Sequence, residues 1–329
     1  MQADPTALLI EAGRPSAIAT APGGIKVVAP AAGIDLARHV LALAVIVQHM
    51  HSISRYSPQV NAVLDDVCHY VDGAVAGFFL ISGFLFKMPV AARSYIGRRA
   101  VRLLVPFLLF SAIYAGVLGL LGKSGAGSAA WAILSMHGVG PQLYFLPDLL
   151  LVSIAYLAAR LALGRRVNPL WLDLCLLVSM VILSQLWKTS ATTGPDPGLL
   201  SLYFSAFLAG RVLSEVGQLR AGAAALAGCV SLGVMGDGRY YSLALVLLWV
   251  VSCMQLSRYL PDRRLSGSGG IYLLHTPVIN FAISTLLYRV GVAEGPNLIA
   301  SIVATYGLCL MLTLGLLRSA PRWGWLLLE

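Results

Sequence analysis

Residues 33–52 read GIDLARHVLALAVIVQHMHS. The run is apolar and of the length needed to cross a bilayer, with Arg38 near one end and His49 near the other. Arg38 and His49 are eleven residues apart. At about 100° per residue they share one helical face, roughly 16 Å apart along the axis. Ionisable groups are costly in hydrocarbon, so such a face is expected to look into protein or a watered cavity. A simpler reading also accounts for both: an arginine that snorkels to the headgroups and a histidine at the opposite interface.

Composition places the whole chain in the same class. Of 329 residues, 58% are hydrophobic and 11% charged, and the mean hydropathy is +0.81. A soluble domain carries about 25% charged residues. The expected fold is an all-α, polytopic integral membrane protein. The net charge of +9 then reads as topology. No basic run is interleaved with aromatics, which argues against a nucleic-acid partner. Five dispersed cysteines without CxxC spacing argue against a disulfide framework or a metal site.

Residues 1–32 are rich in Ala, Pro and Gly and read as a flexible cytoplasmic tail; Asp4 and Glu11 stand where a signal peptide would be basic. Residues 33–320 form the transmembrane region and 321–329 a cytoplasmic C-terminal tail. About ten apolar segments fall near 33–52, 72–90, 101–121, 142–163, 168–187, 197–214, 221–236, 239–257, 269–289 and 297–318. With both termini in the cytoplasm, seventeen Lys and Arg sort inside and five outside, as ten spans require. The intervening segments 53–71, 122–141 and 188–196 read as outside loops.

Four blocks carry candidate chemistry. In the first span Asp35 precedes Arg38 by three residues, a spacing that lets carboxylate and guanidinium pair. Residues 73–86, GAVAGFFLISGFLF, place Ser82 and Gly83 in an aromatic-rich helix, where small residues permit close helix approach. SYIGRRAVRLLVPF sets Arg98, Arg99 and Arg102 at the cytosolic start of the third span. Positive-inside anchoring explains these arginines; Arg99 and Arg102, at i and i+3, also make a surface suited to phosphate. GIYLLHTPVI, residues 270–279, puts His275 inside a helix just before Pro277, which frees a carbonyl and can kink the span. Asp148, near the outer end of the fourth span, is a further intramembrane carboxylate.

In this order the blocks resemble acyltransferase family 3, integral-membrane O-acyltransferases of the bacterial envelope. Arg38, ten residues, then His49 is similar to that family's first-span pattern, and FFLISGFLF to its second-span signature. Arg99-Ala-Val-Arg102 resembles its RxxR, and Tyr272-Leu-Leu-His275-Thr-Pro277 its late YLLHxP block. Gln142-Leu-Tyr144-Phe-Leu is similar to a segment usually read His-Leu-Trp-Phe-Leu, with Gln and Tyr in place of His and Trp. The likeness spans about residues 33–320, and the chain resembles the stand-alone form without an esterase-like domain.

The resemblance implies transfer of an acyl group, usually acetyl, from cytoplasmic acyl-CoA to a hydroxyl of an envelope glycan or glycolipid. The location it implies is the bacterial inner membrane. On that reading His49 takes the proton of the attacking hydroxyl, Arg38 holds CoA or developing negative charge, and Asp35 orients Arg38. Arg98, Arg99 and Arg102 meet the phosphates of CoA. Ser82, Asp148, Tyr272 and His275 are the remaining site candidates, and no metal is called for. The competing class is a transporter or flippase, in which Arg, Asp and His would line a pathway.

Overall fold

The computed structural model describes residues 31–50, 56–122, 125–164, 167–186, 197–216, 238–256 and 265–328, with residues 222, 228 and 259. Among them no strand occurs: the chain is an all-α, polytopic bundle. The helices are α1 (Ala31–Met50), α2 (Pro58–Val71), α3 (Ala74–Phe84), α4 (Ala92–Leu120), α5 (Ala126–Leu134) and α6 (Phe145–Leu163). They continue as α7 (Pro169–Leu186), α8 (Pro197–Val216), α9 (Gly238–Leu256), α10 (Ser268–Leu274), α11 (Asn280–Arg289) and α12 (Glu294–Ser319). Eight helical stretches among the described residues are long and apolar enough to cross a membrane, and Tyr240–Leu256 is apolar but shorter. The expected span 221–236 apart from residues 222 and 228, His51 at the end of the first apolar run, and residues 1–30 of the expected tail lie outside the described residues; 31 and 32 already belong to α1.

Three boundaries differ from the sequence reading. Residues 58–71, expected as loop, form α2, which meets α3 through a turn at Asp72 and Gly73. Val60, Leu64, Val67 and Val71 recur at helical spacing, a period that Asp65 and Asp66 obscure; Leu64 is buried. Helix α4 starts at Ala92 and runs for 29 residues, so Arg98, Arg99 and Arg102 lie inside it, not at its start. At the C-terminus, Pro321–Leu327 form a 3₁₀ helix with Leu327 buried, so this segment packs on the bundle.

Helix α3 is the centre of the bundle. It is apolar all round, as a fully surrounded helix must be, and it packs against α1, α8 and α9. Its approach to α8 is backbone to backbone. A Cβ on Gly83 would run into the carbonyl of Phe207, and one on Gly210 into the carbonyl of Leu80. Small residues are what allow membrane helices such contact, since lipid supplies no hydrophobic drive to bring them together.

Helices α6, α7 and α8 are tied by a buried charged network. The Tyr156 hydroxyl donates to Asp173 at 2.9 Å, and Arg211 donates through Nε to Tyr156 at 3.1 Å. Another Arg211 nitrogen donates to the carbonyl of Phe86 at 2.9 Å, just past the end of α3. Arg160 stands 4.0 Å from Asp173. Arg160 and Arg211, two of the seventeen Lys and Arg counted on the inside, therefore serve a fully buried carboxylate: Asp173 is 0% exposed. Removing one partner from such a cluster leaves an uncompensated charge and costs about 3–5 kcal/mol.

The expected kink in the ninth span is a break. Thr276 leaves helical geometry (φ −130°, ψ 156°) between α10 and α11. Pro277 has no N–H, so the carbonyl four residues back, on Leu273, loses its helical donor. Two side chains replace it. The Gln142 amide donates to Leu273 O at 3.1 Å and to Thr276 O at 2.5 Å, and the Tyr114 hydroxyl also donates to Leu273 O. A broken helix is tolerated at membrane depth only where freed backbone groups are satisfied in this way.

Candidate active site

Two cavities lie in the bundle, each taking part of its wall from α1, α3 and α10. The cationic cavity, about 430 Å³, is lined by Arg38, Ser82, Lys87, Arg99 and Arg102 among others. Arg38 reaches it from α1 with Asp35 3.7 Å behind, the expected i, i+3 pair. Arg99 is fixed by donation from Nε to Ser153 Oγ at 3.0 Å, with its guanidinium 5.9 Å from the centre of the Tyr95 ring. Arg102 donates to the carbonyl of Leu328, so the folded C-terminus closes one wall. Among the described residues lining this cavity there is no carboxylate.

The histidine cavity, about 330 Å³, is lined by His49 and Gln48 from α1, by Asp65 and Asp72, and by Gln142, Tyr144 and Tyr203. Here the charge is reversed: the ionisable neighbours of His49 on these walls are acids. The His49 ring packs against that of His275, with centroids 5.3 Å apart. His275 is fully buried, and its Nδ1–H donates to the carbonyl of Ile271 at 3.1 Å. Its Nε2 therefore carries the lone pair, and that atom is buried without a hydrogen-bond partner.

One side chain belongs to both cavities. Tyr272 lines each of them. Its ring lies 5.3 Å from Phe78 and 5.1 Å from Phe145, and its hydroxyl donates to Gln142 O at 2.9 Å. Three aromatic rings thus form a septum between the arginines and the imidazole. The break at Thr276 lies four residues from Tyr272, so the same irregular stretch sets both the septum and His275.

The sequence candidates divide accordingly. Arg38, Ser82, Arg99 and Arg102 meet at the cationic cavity, His49 lines the other with His275 packed against its ring, and Tyr272 lines both. Arg98 is not with its neighbours: it is exposed and lines neither cavity, because one residue before Arg99 it points about 100° away. Asp148 lines a third, separate groove. His39, which turns away from Arg38, is buried and hydrogen-bonded to the Tyr306 hydroxyl at 2.9 Å. Sequence reasoning missed Lys87, Tyr95 and Phe145. The available signal for Lys87 was its place directly after FFLISGFLF.

Comparison with known proteins supplies the family. A family model described as an acyltransferase domain, that of acyltransferase family 3, matches residues 31–316. The chain belongs to that family. It is a membrane acyltransferase. No curated protein and no solved structure gives a match. Among the described residues no group of three or more His, Cys, Asp or Glu side chains converges as a metal site would need.

Proposed function

We propose that this acyltransferase moves an acyl group, acetyl in the simplest case, from cytoplasmic acyl-CoA to a hydroxyl of an envelope glycan across a bacterial inner membrane. The observation that carries the reading is the shared wall at Tyr272, with four cations on one side and His49 on the other. CoA is a polyanion. Arg38, Lys87, Arg99 and Arg102 suit its phosphates, and arginine adds forked donation that a point charge lacks. Asp65 and Asp72 repel phosphate from the histidine cavity but accept hydrogen bonds from sugar hydroxyls. Charge alone therefore sorts donor from acceptor.

The chemistry follows from that sorting. The pantetheine arm passes the Phe78–Phe145–Tyr272 septum and brings the thioester to His49. The acceptor oxygen attacks the thioester carbonyl while His49 takes the hydroxyl proton. The C–S bond then breaks, CoA leaves as thiolate, and the proton passes from His49 to sulfur. General-base assistance of this kind is worth about 10²- to 10⁴-fold. His275 packs against His49 and holds its ring. The excess of Lys and Arg on one side, seventeen to five in the ten-span map, supports cytoplasmic termini.

The test is direct. Protein purified into nanodiscs is given acetyl-CoA with and without a glycan acceptor, and free thiol and ester-linked acetyl are measured together. Stoichiometric appearance of both is expected. Thiol release that never yields an ester would defeat the assignment of a hydroxyl acceptor, and no thiol release from any acyl-CoA would defeat the donor.

A further inference from the structure

A third cavity, about 670 Å³, has no part in the reading so far. It is a groove along α6. Leu104 of α4, Leu150, Leu151 and Ile154 of α6, and Leu200 of α8 make its apolar length. Leu151 is 52% exposed on a membrane-spanning helix, so the groove opens sideways toward lipid. Its other end is polar, with His137, Asp148 and Tyr144. The His137 ring is held through Nδ1 by Ser135, 3.0 Å from its carbonyl oxygen. Among the described residues no side chain donates a hydrogen bond to the Asp148 carboxylate, which is half-buried at the groove's polar end. A ligand with hydroxyl groups there supplies donors that the protein does not.

The groove adjoins the histidine cavity. Tyr144 and Leu199 line both, and the Tyr144 hydroxyl meets that of Tyr203 at 3.0 Å where the two spaces adjoin. A molecule lying along α6 with its polar end at Asp148 has that end next to the cavity of His49.

We infer that this groove holds the apolar anchor of the acceptor, with Asp148 accepting hydrogen bonds from hydroxyls of its sugar headgroup, so that the acceptor enters from the lipid as a glycolipid. The inference rests on the acyl-transfer reading and narrows its acceptor. A tail gains little by leaving lipid for leucines, since the two are equally apolar. Selection therefore falls on the headgroup, and a bare alkyl chain has no advantage over bulk lipid.

The probe is n-octyl β-glucoside with a photoreactive diazirine in its alkyl chain, applied to the protein in nanodiscs, with labelled peptides mapped by mass spectrometry. Labelling is expected on the Leu150–Ile154 segment, suppressed by excess n-octyl β-glucoside but by neither octanol nor glucose. Asp148→Asn, nearly isosteric, is expected to reduce it about tenfold, the loss of one charge-assisted hydrogen bond. Leu200→Trp fills the groove and should do the same in protein whose thermal stability is unchanged. Equal competition by octanol would mean a groove for bulk lipid and would overturn the inference, as would labelling indifferent to both substitutions. The labelling needs no acyl-CoA. A labelled groove in a protein that releases no thiol defeats the acyl-transfer reading alone, and thiol release without labelling defeats the groove alone.

Discussion

The two cavities that meet at Tyr272 share three helices and differ in charge. Both take walls from α1, α3 and α10 and from residues 142–149, displaced along the helix axes. One carries Arg38, Lys87, Arg99 and Arg102; the other carries His49 with Asp65 and Asp72. The contrast teaches that helices shared by two cavities, with a different neighbour added at each, can separate holding a polyanion from moving a proton. A guanidinium stays charged at any working pH and anchors; an imidazole titrates near neutrality and exchanges protons. Placing them in one space would let the cations suppress the basicity the reaction needs.

The largest effect should come from the histidine side. His49→Ala is expected to lower ester formation by at least about 10²-fold, the usual share of a general base, with acyl-CoA binding within twofold of wild type. Equal losses in binding and turnover would erase the division of labour. On the cationic side, Arg99→Ala or Arg102→Ala should raise the KM for acyl-CoA by about tenfold, as loss of a charge-assisted contact does, with kcat nearly unchanged. Arg98→Ala supplies the control, because its side chain is exposed away from the cavity; a change beyond about twofold there would mean the surface charge, not the cavity, is being read.

The septum can be broken on its own. Tyr272→Ala joins the two spaces and is expected to raise acceptor-free hydrolysis of acyl-CoA severalfold, because water then reaches the thioester. Tyr272→Phe keeps the ring and should leave hydrolysis at the wild-type level; thiol release without acceptor distinguishes the two. The smallest effect should be on stability alone. Gln142→Ala removes a donor from the carbonyls of Leu273 and Thr276, a cost of about 1–2 kcal/mol by thermal unfolding in detergent. A larger loss of activity than of stability would show that the break between α10 and α11 positions His275 as well as packing it.

Gln142 also shows how partial a motif reading is. By likeness it was a glutamine standing where histidine is usual. In the fold it caps the carbonyl freed by Pro277, and an amide does this well because its two N–H groups reach two acceptors. The Arg98–Arg99–Arg102 block is a second case. Spacing grouped Arg99 with Arg102 on one face, but whether Arg98 shared their partner depended on which face α4 turned inward. Helix α2 is a third, where two adjacent aspartates hid an apolar period that tertiary contact rewards at Leu64.

By itself, the sequence determined that the chain is a helical membrane protein, that Arg38 and His49 share one face, that Asp35 stands within reach of Arg38, and that Pro277 disturbs its span. These follow from hydropathy and helical period, which act over a few turns and need no knowledge of neighbours. Only the tertiary structure decided that His49 meets His275, that Lys87 joins the arginines, that Arg160 and Arg211 turn inward to Asp173, and that Tyr272 lines both cavities. Each depends on the rotation and depth at which one helix meets another. Those are fixed by close packing at residues such as Gly83 and Gly210, and the period of a single helix carries no record of them.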